Sequence, residues 1–292
     1  MKVVVVGADG QLGHALQQSL NVHDLSAYGK NAWDITDREL TRQKLETAMP
    51  DVVINAAAYT NVDQAESDTD SAYRVNADGP HNLALATDAL NIPLVHISTD
   101  YVFDGTQTEP YHEYDRPNPR SIYGKSKLAG EERVRTTAKR HFIIRTAWLY
   151  HTVGRNFPNT ICALAHTSPV RVVNDQFGSP TYAPHLANGI GQLLQTCAYG
   201  TYHLAGSGGT SWFDFTKELF AQLQIRTPIT PVSTKEFPRP APRPASAILT
   251  SLQNPCILLP PWKQGVSEFA LHYSSSSQKT SMGYHDVSKR AT

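Results

Sequence analysis

The chain has 292 residues, 40% of them hydrophobic and 18% charged, enough to bury one large core or two intimately joined ones. Its 26 Lys and Arg balance its 26 Asp and Glu, which argues against a protein that tracks nucleic-acid phosphates. The N-terminal valine run stops at Gly7, too short for a secretory core or a membrane span, and Cys162, Cys197 and Cys256 have no metal spacing and suit a reducing cytoplasm.

Short, β-branched, unbroken apolar runs occupy Val3 to Val6, Val52 to Ile54, Leu94 to Ile97 and Phe142 to Ile144. Such runs are expected of parallel strands buried on both faces. Helical segments lie between and around them at His14 to Leu20, Ala72 to Leu90 and Lys125 to Ala138. The alternation predicts an α/β fold, a doubly wound parallel sheet spanning 1–150 and completed by parts of 183–205. From about Gly154 prolines gather, at Pro158, Pro169, Pro180 and Pro184 and again from Pro238 to Pro244. This predicts a smaller, interleaved substrate-binding lobe over 151–273, with helices near Leu186 to Leu194 and Trp212 to Leu223, set over the carboxyl ends of the strands. The polar, serine-rich stretch 274–292 is expected to be a mobile tail.

The first strand runs into Gly7-Ala8-Asp9-Gly10-Gln11-Leu12-Gly13, where a helix opens. Glycines in that place permit a tight turn and let backbone amides approach a pyrophosphate, which the helix N-terminus favours. A glycine triplet can also be merely structural; its place after the first strand of an α/β chain favours a dinucleotide. Tyr123 and Lys127 lie four residues apart at the start of a helix and so on one face of it. A free tyrosine is a poor acid at neutral pH, and an ammonium beside it is expected to lower its pKa toward proton transfer. Some 25 residues upstream Ser98-Thr99-Asp100 directly follows the apolar run Leu94 to Ile97, where a hydroxyl at a strand's carboxyl end can polarise a carbonyl. Each motif is common alone; a glycine turn, a strand-end hydroxyl and YxxxK together make a strong constellation. The histidines show no metal-ligand spacing, and no metal site is expected from them.

With these motifs the chain resembles the extended short-chain dehydrogenase/reductases, a Rossmann-fold group, and within them the dTDP-4-dehydrorhamnose reductases. The resemblance runs from residue 1 to about 270, through Gly10 to Gly13, Ile54 to Asp63, Ser98 to Gly105, Tyr123 to Glu131, Arg145 to Tyr150, Val173 to Thr181 and Arg243 to Ser246. It implies reduction of the C4 keto group of a dTDP-sugar by NADPH or NADH, for surface polysaccharide synthesis. It also implies roles for residues. Gly7, Gly10, Gln11, Leu12 and Gly13 would form the phosphate turn, Asp34 and Ile35 would flank the adenine, and Ala58, Tyr59 and Thr60 would line the route to the nicotinamide. Tyr123 would supply the proton, Lys127 would hold the nicotinamide ribose, and Thr99 would polarise the carbonyl. Asp100, Trp148, Asn156 and Phe157 would contact the sugar nucleotide.

The chain departs from that family in two places. Where many relatives carry an acid after the second strand, Gly29 and Lys30 stand here, a combination expected to welcome a 2′-phosphate. Some relatives form a magnesium-bridged homodimer through C-terminal glutamates. Here Glu268 is the single carboxylate from Trp262 to Tyr273, too few oxygens for magnesium, which counts against that metal and its dimer. Two rival functions share the motifs. A sugar-nucleotide epimerase or dehydratase is disfavoured because dehydratases of this group carry Asp-Glu where Asp100-Tyr101 stands. A non-catalytic subunit similar to the methionine adenosyltransferase beta subunit is disfavoured by the Asp175 to Thr181 and Arg243-Pro244 blocks.

Overall fold

A computed structural model describes residues 1–287 of the chain. The predicted strands are present as β1 (Lys2–Val6), β3 (Val52–Asn55), β4 (Leu94–Thr99) and β5 (His141–Thr146), joined by β2 (Asp24–Tyr28) and an edge strand Gly200–His203. All six are parallel, in the order Gly200–His203, β5, β4, β3, β1, β2. The two strands with no apolar run are the two edges of the sheet. There β2 keeps every residue at least partly exposed, so its sequence needs no continuous hydrophobicity.

Both faces of the sheet are covered. One carries α1 (Gln11–Ser19) and the helix Ala183–Leu193, which pack with Val3, Val5, Ile54 and Ile144. The other carries Val4, Val6, Val53 and Ile143 against Leu45, Leu83 and Val134, from the helices Arg38–Ala48, Gly79–Ala89 and Ile122–Thr137. Each fully buried valine or leucine in these layers contributes about 1.5–3 kcal/mol of apolar burial. The helix expected near Leu186 to Leu194, counted with the lobe yet inside the 183–205 stretch expected to complete the sheet, packs on the sheet. Its buried stripe Leu186, Ala187, Ile190 and Leu193 fits the groove beside α1. The lobe has its own core of Tyr150, Ile161, Phe215, Leu219 and Phe269.

Two further expectations change. The single helix predicted over Ala72 to Leu90 is three pieces: Thr69–Tyr73, a π turn Arg74–Asp78 and the helix Gly79–Ala89. Gly79-Pro80 cannot carry a regular α turn through that point, because proline supplies no amide hydrogen. The serine tract expected as a mobile tail instead continues the last helix, Trp262–Val287, as far as the description goes; residues 288–292 lie outside it. Once Val266, Phe269 and Ala270 anchor the first turns by burial, propagation costs little through serines, which are only mildly poor helix formers. Among the described residues no helix is long and apolar enough to cross a membrane.

Candidate active site

The order of strands reverses between β1 and β3, and the glycine turn lies at the carboxyl end of β1 beside that switch. Gly7 has φ +82, and a Cβ there would stand 2.4 Å from the Ala57 amide nitrogen, so only glycine fits. Its amide and that of Ala8 both donate to the Tyr28 carbonyl, at 3.0 and 3.1 Å, which stitches the turn to the end of β2. Gly10 caps α1 with extended backbone and no side-chain hydrogen bond, and the first turn holds no acid. The first amides of α1 are thus left for an anion, and exposed Gly10 leaves room for one. This cradle fits a pyrophosphate. Gly13 does not reach its surface: a Cβ there would meet the Gly7 carbonyl at 2.4 Å, so it serves the packing of α1 under the turn.

A cavity of about 1080 Å³ opens from this turn. Gly7, Gly10, Gln11, Leu12, Lys30, Asp34, Ile35, Ala58, Tyr59 and Thr60 line it, with Thr99, Asp100, Tyr123, Lys127, Trp148 and Phe157. The Asp34 carboxylate accepts from the Thr36 amide and hydroxyl at 2.9 and 2.8 Å. Burial would raise its pKa, but these bonds and the charge of Lys30 hold it below the ordinary value. The π turn has a purpose here. From it Asn76 accepts from the Tyr59 amide at 2.8 Å and donates to the Tyr59 carbonyl at 3.1 Å, fixing the Ala58 to Thr60 wall.

The helix Ile122–Thr137 begins at Ser121, whose hydroxyl accepts from the Gly124 amide, and presents Tyr123 and Lys127 to the cavity. Thr99 is the last residue of β4. Its hydroxyl donates to Asp100 Oδ1 at 2.9 Å and accepts from the Tyr101 amide at 3.2 Å. Burial pushes the Tyr123 phenol up to about 12, with Thr99 pulling down and the Asp100 charge pushing further up. The expectation that Lys127 lowers this pKa is not what the geometry gives. Lys127 is 2% exposed, its ammonium donates to the Ile97 carbonyl, and burial brings it down to about 8 against the upward pull of Glu131. Helical spacing put both groups on one face, but the strand carbonyl captured the ammonium. Behind the site Glu131 accepts from Ser98 at 2.6 Å and pairs with buried Arg145 at 2.7 Å.

Trp148 holds φ +45 and stacks on Trp212, with ring centroids 3.4 Å apart and planes at 4°. The Phe177-Gly178 step makes this feasible, because a Cβ on Gly178 would stand 2.4 Å from the Trp148 ring. Phe157 packs on Trp212 at 4.4 Å. Asn156, expected to touch the substrate, does not line the cavity. It caps the helix Phe157–Ala165 by accepting from the Asn159 amide and donates to Gln11 Oε1 at 2.8 Å, tying the lobe to the glycine turn. Asp100 Oδ2 and Thr146 Oγ1 are buried without a hydrogen-bond partner, and both residues line the cavity. Unpaired buried polar atoms are costly, so a cavity wall that carries two is suited to a polar ligand.

Three contributors escaped the sequence reading. Trp212 comes from a helix recognised only as part of the lobe. Arg243 bonds Asp63 at 2.9 Å and lies over the Tyr101 ring, which meets Tyr123 edge-on at 5.5 Å. Asp9 lines the cavity from within the glycine turn. The distant charge partner of Arg243 is invisible in sequence, whereas Asp9 stood inside a recognised motif.

A doubly wound parallel sheet with this turn and this Thr-Tyr-Lys grouping defines the extended short-chain dehydrogenase/reductases. Within that class the chain belongs to the RmlD substrate binding domain family, whose model matches residues 1–275. It is 40% identical over 280 residues to the spore coat polysaccharide biosynthesis protein SpsK of Bacillus subtilis, covering 94% of this chain and 99% of that one. A dTDP-4-dehydrorhamnose reductase of Sinorhizobium fredii is 38% identical over 262 residues, 85% of this chain and 88% of the relative. The crystal structure of dTDP-4-dehydrorhamnose reductase from Bacillus anthracis in complex with NADP superposes with a TM-score of 0.91 at 41% identity, covering 93% of this chain and 100% of that one.

Proposed function

We propose that this chain is an NAD(P)H-dependent dTDP-4-dehydrorhamnose reductase, which reduces the C4 keto group of dTDP-4-dehydro-L-rhamnose to give dTDP-L-rhamnose for polysaccharide synthesis. The observation that carries this reading is the grouping of Tyr123, Thr99 and Lys127 in one cavity with a glycine turn whose helix amides are uncapped. The names of the relatives supply the substrate.

Bound NAD(P)H supplies the hydride that C4 receives. Gly10, Gln11 and Leu12 hold the cofactor phosphates, and Lys127 bonds the nicotinamide ribose. Tyr123 supplies the proton to the C4 oxygen, and its raised pKa keeps that proton in place at neutral pH until an alkoxide develops. Thr99 hydrogen-bonds the same oxygen and so stabilises developing charge. Asp100 takes a sugar hydroxyl with its unpaired oxygen, and the Trp148 face with Phe157 packs against the sugar nucleotide. The free thiols of Cys162, Cys197 and Cys256 fit action in the cytoplasm.

Spectrophotometry of NADPH oxidation with the keto-sugar nucleotide, with the product identified by NMR, tests the reading. Stoichiometric oxidation yielding dTDP-L-rhamnose is expected. Tight cofactor binding without oxidation would overturn it in favour of the non-catalytic subunit, and product formation without net oxidation would point to an epimerase.

A further inference from the structure

We propose that Asp9, in the glycine turn, sets the choice between NADH and NADPH by taking the place of the acid that is missing after β2, in opposition to Lys30. The inference rests on the dinucleotide reading of the cavity. Because the Gly7 and Ala8 amides both bond the Tyr28 carbonyl, the turn and the end of β2 run side by side, and the next residues along them, Asp9 and Gly29, meet. A Cβ on Gly29 would stand 1.9 Å from Asp9 Oδ2, 2.5 Å from its Cγ and 2.6 Å from its Oδ1. The Asp9 carboxylate thus fills the volume that a side chain at position 29 would fill.

In open α/β sheets the group after the second strand meets the adenosine ribose, where a carboxylate accepts the 2′-hydroxyl and a cation accommodates a 2′-phosphate. The sequence shows only Gly29 and Lys30 at that place, which favours the phosphate. The structure returns a carboxylate there from a different segment. Asp9 is exposed to the cavity, and among the described residues no hydrogen bond or ion pair engages its oxygens, so both are open to a ribose hydroxyl. A 2′-phosphate, with a charge of about −2, would instead meet that carboxylate at short range. Lys30 lines the same cavity and acts with the opposite sign. Gly29 and Asp9 act as a matched pair, since any larger residue at position 29 displaces the carboxylate.

The test is direct binding of NADH and NADPH, followed by dinucleotide fluorescence, in the wild type, Asp9→Asn and Lys30→Ala, with kcat/KM for each cofactor as a second readout. Asp9→Asn keeps the shape and removes the charge. It should shift the Kd ratio toward NADPH by about tenfold, an effect that shrinks at high salt. Lys30→Ala should shift the ratio toward NADH. A ratio in Asp9→Asn within about twofold of wild type overturns the proposal while leaving the reductase reading intact. If the wild type binds neither dinucleotide, the functional reading fails and this inference with it.

Discussion

The Thr99 hydroxyl donates to Asp100 Oδ1 at 2.9 Å while Asp100 Oδ2 has no partner. Burial raises the Asp100 carboxyl from 3.8 to about 7, with hydrogen bonds from Thr99 and the backbone amides of Asp100 and Tyr101 pulling the other way. Between those values the folded chain keeps a proton that the unfolded chain has lost, so this group's contribution to stability falls as pH rises from about 4 to 7. Asp100→Asn cannot ionise. Its stability relative to wild type should therefore rise across that window, by roughly 2–4 kcal/mol. Urea unfolding at the two ends of the window measures it, and a pH-independent difference would mean that Asp100 titrates as an ordinary carboxylate.

Tyr123→Phe removes the proton donor while keeping the ring that meets Tyr101 edge-on. Turnover should fall by about 10²–10⁴-fold, the usual worth of a positioned acid. Dinucleotide binding should persist, because the glycine turn and Lys127 are untouched. Near wild-type turnover with the chemical step rate-limiting would remove Tyr123 from its role.

Much of this arrangement is legible in the sequence because buried parallel strands demand unbroken β-branched runs, and β1, β3, β4 and β5 have them. The edges β2 and Gly200–His203 do not need such runs and stay hidden. Within the site, Tyr123 and Lys127 can be set on one face from helical spacing and Gly10 from its turn after the first strand, while Thr99 is singled out by the family resemblance. What each side chain bonds is set by tertiary packing. So Lys127 is found on the Ile97 carbonyl, Asn156 on Gln11, and Asp9 in the space left by Gly29.

Burial brings the Lys127 ammonium down to about 8, with Glu131 opposing. Its charge is present below that value and is lost as pH rises through it. If the ammonium holds the ribose, kcat/KM should decline up to tenfold per pH unit above about pH 8, a limb separate from any change as Asp100 loses its proton near 7. Tyr123, at about 12, keeps its proton throughout and cannot cause that limb. Lys127→Met should lower kcat/KM at neutral pH and abolish the limb. A wild-type profile level to about pH 10 would show that the ammonium takes no part.

Glu268, the single carboxylate from Trp262 to Tyr273, is already engaged. Its two oxygens accept from His185 Nε2 at 2.8 Å and Gln264 Nε2 at 3.0 Å. Burial pushes its pKa up, but these bonds and the neighbouring histidines hold it below the usual range. Magnesium takes about six oxygens in a near-octahedral shell, and a lone carboxylate committed to two donors competes poorly for it. Turnover should therefore survive EDTA, with any magnesium effect confined to KM through the substrate diphosphate. Glu268→Gln should leave kcat unchanged and cost about 1–2 kcal/mol of stability through the weakened bond to His185. Loss of turnover in EDTA, restored by magnesium and accompanied by dissociation of a dimer in light scattering, would mean that metal bridges two copies after all.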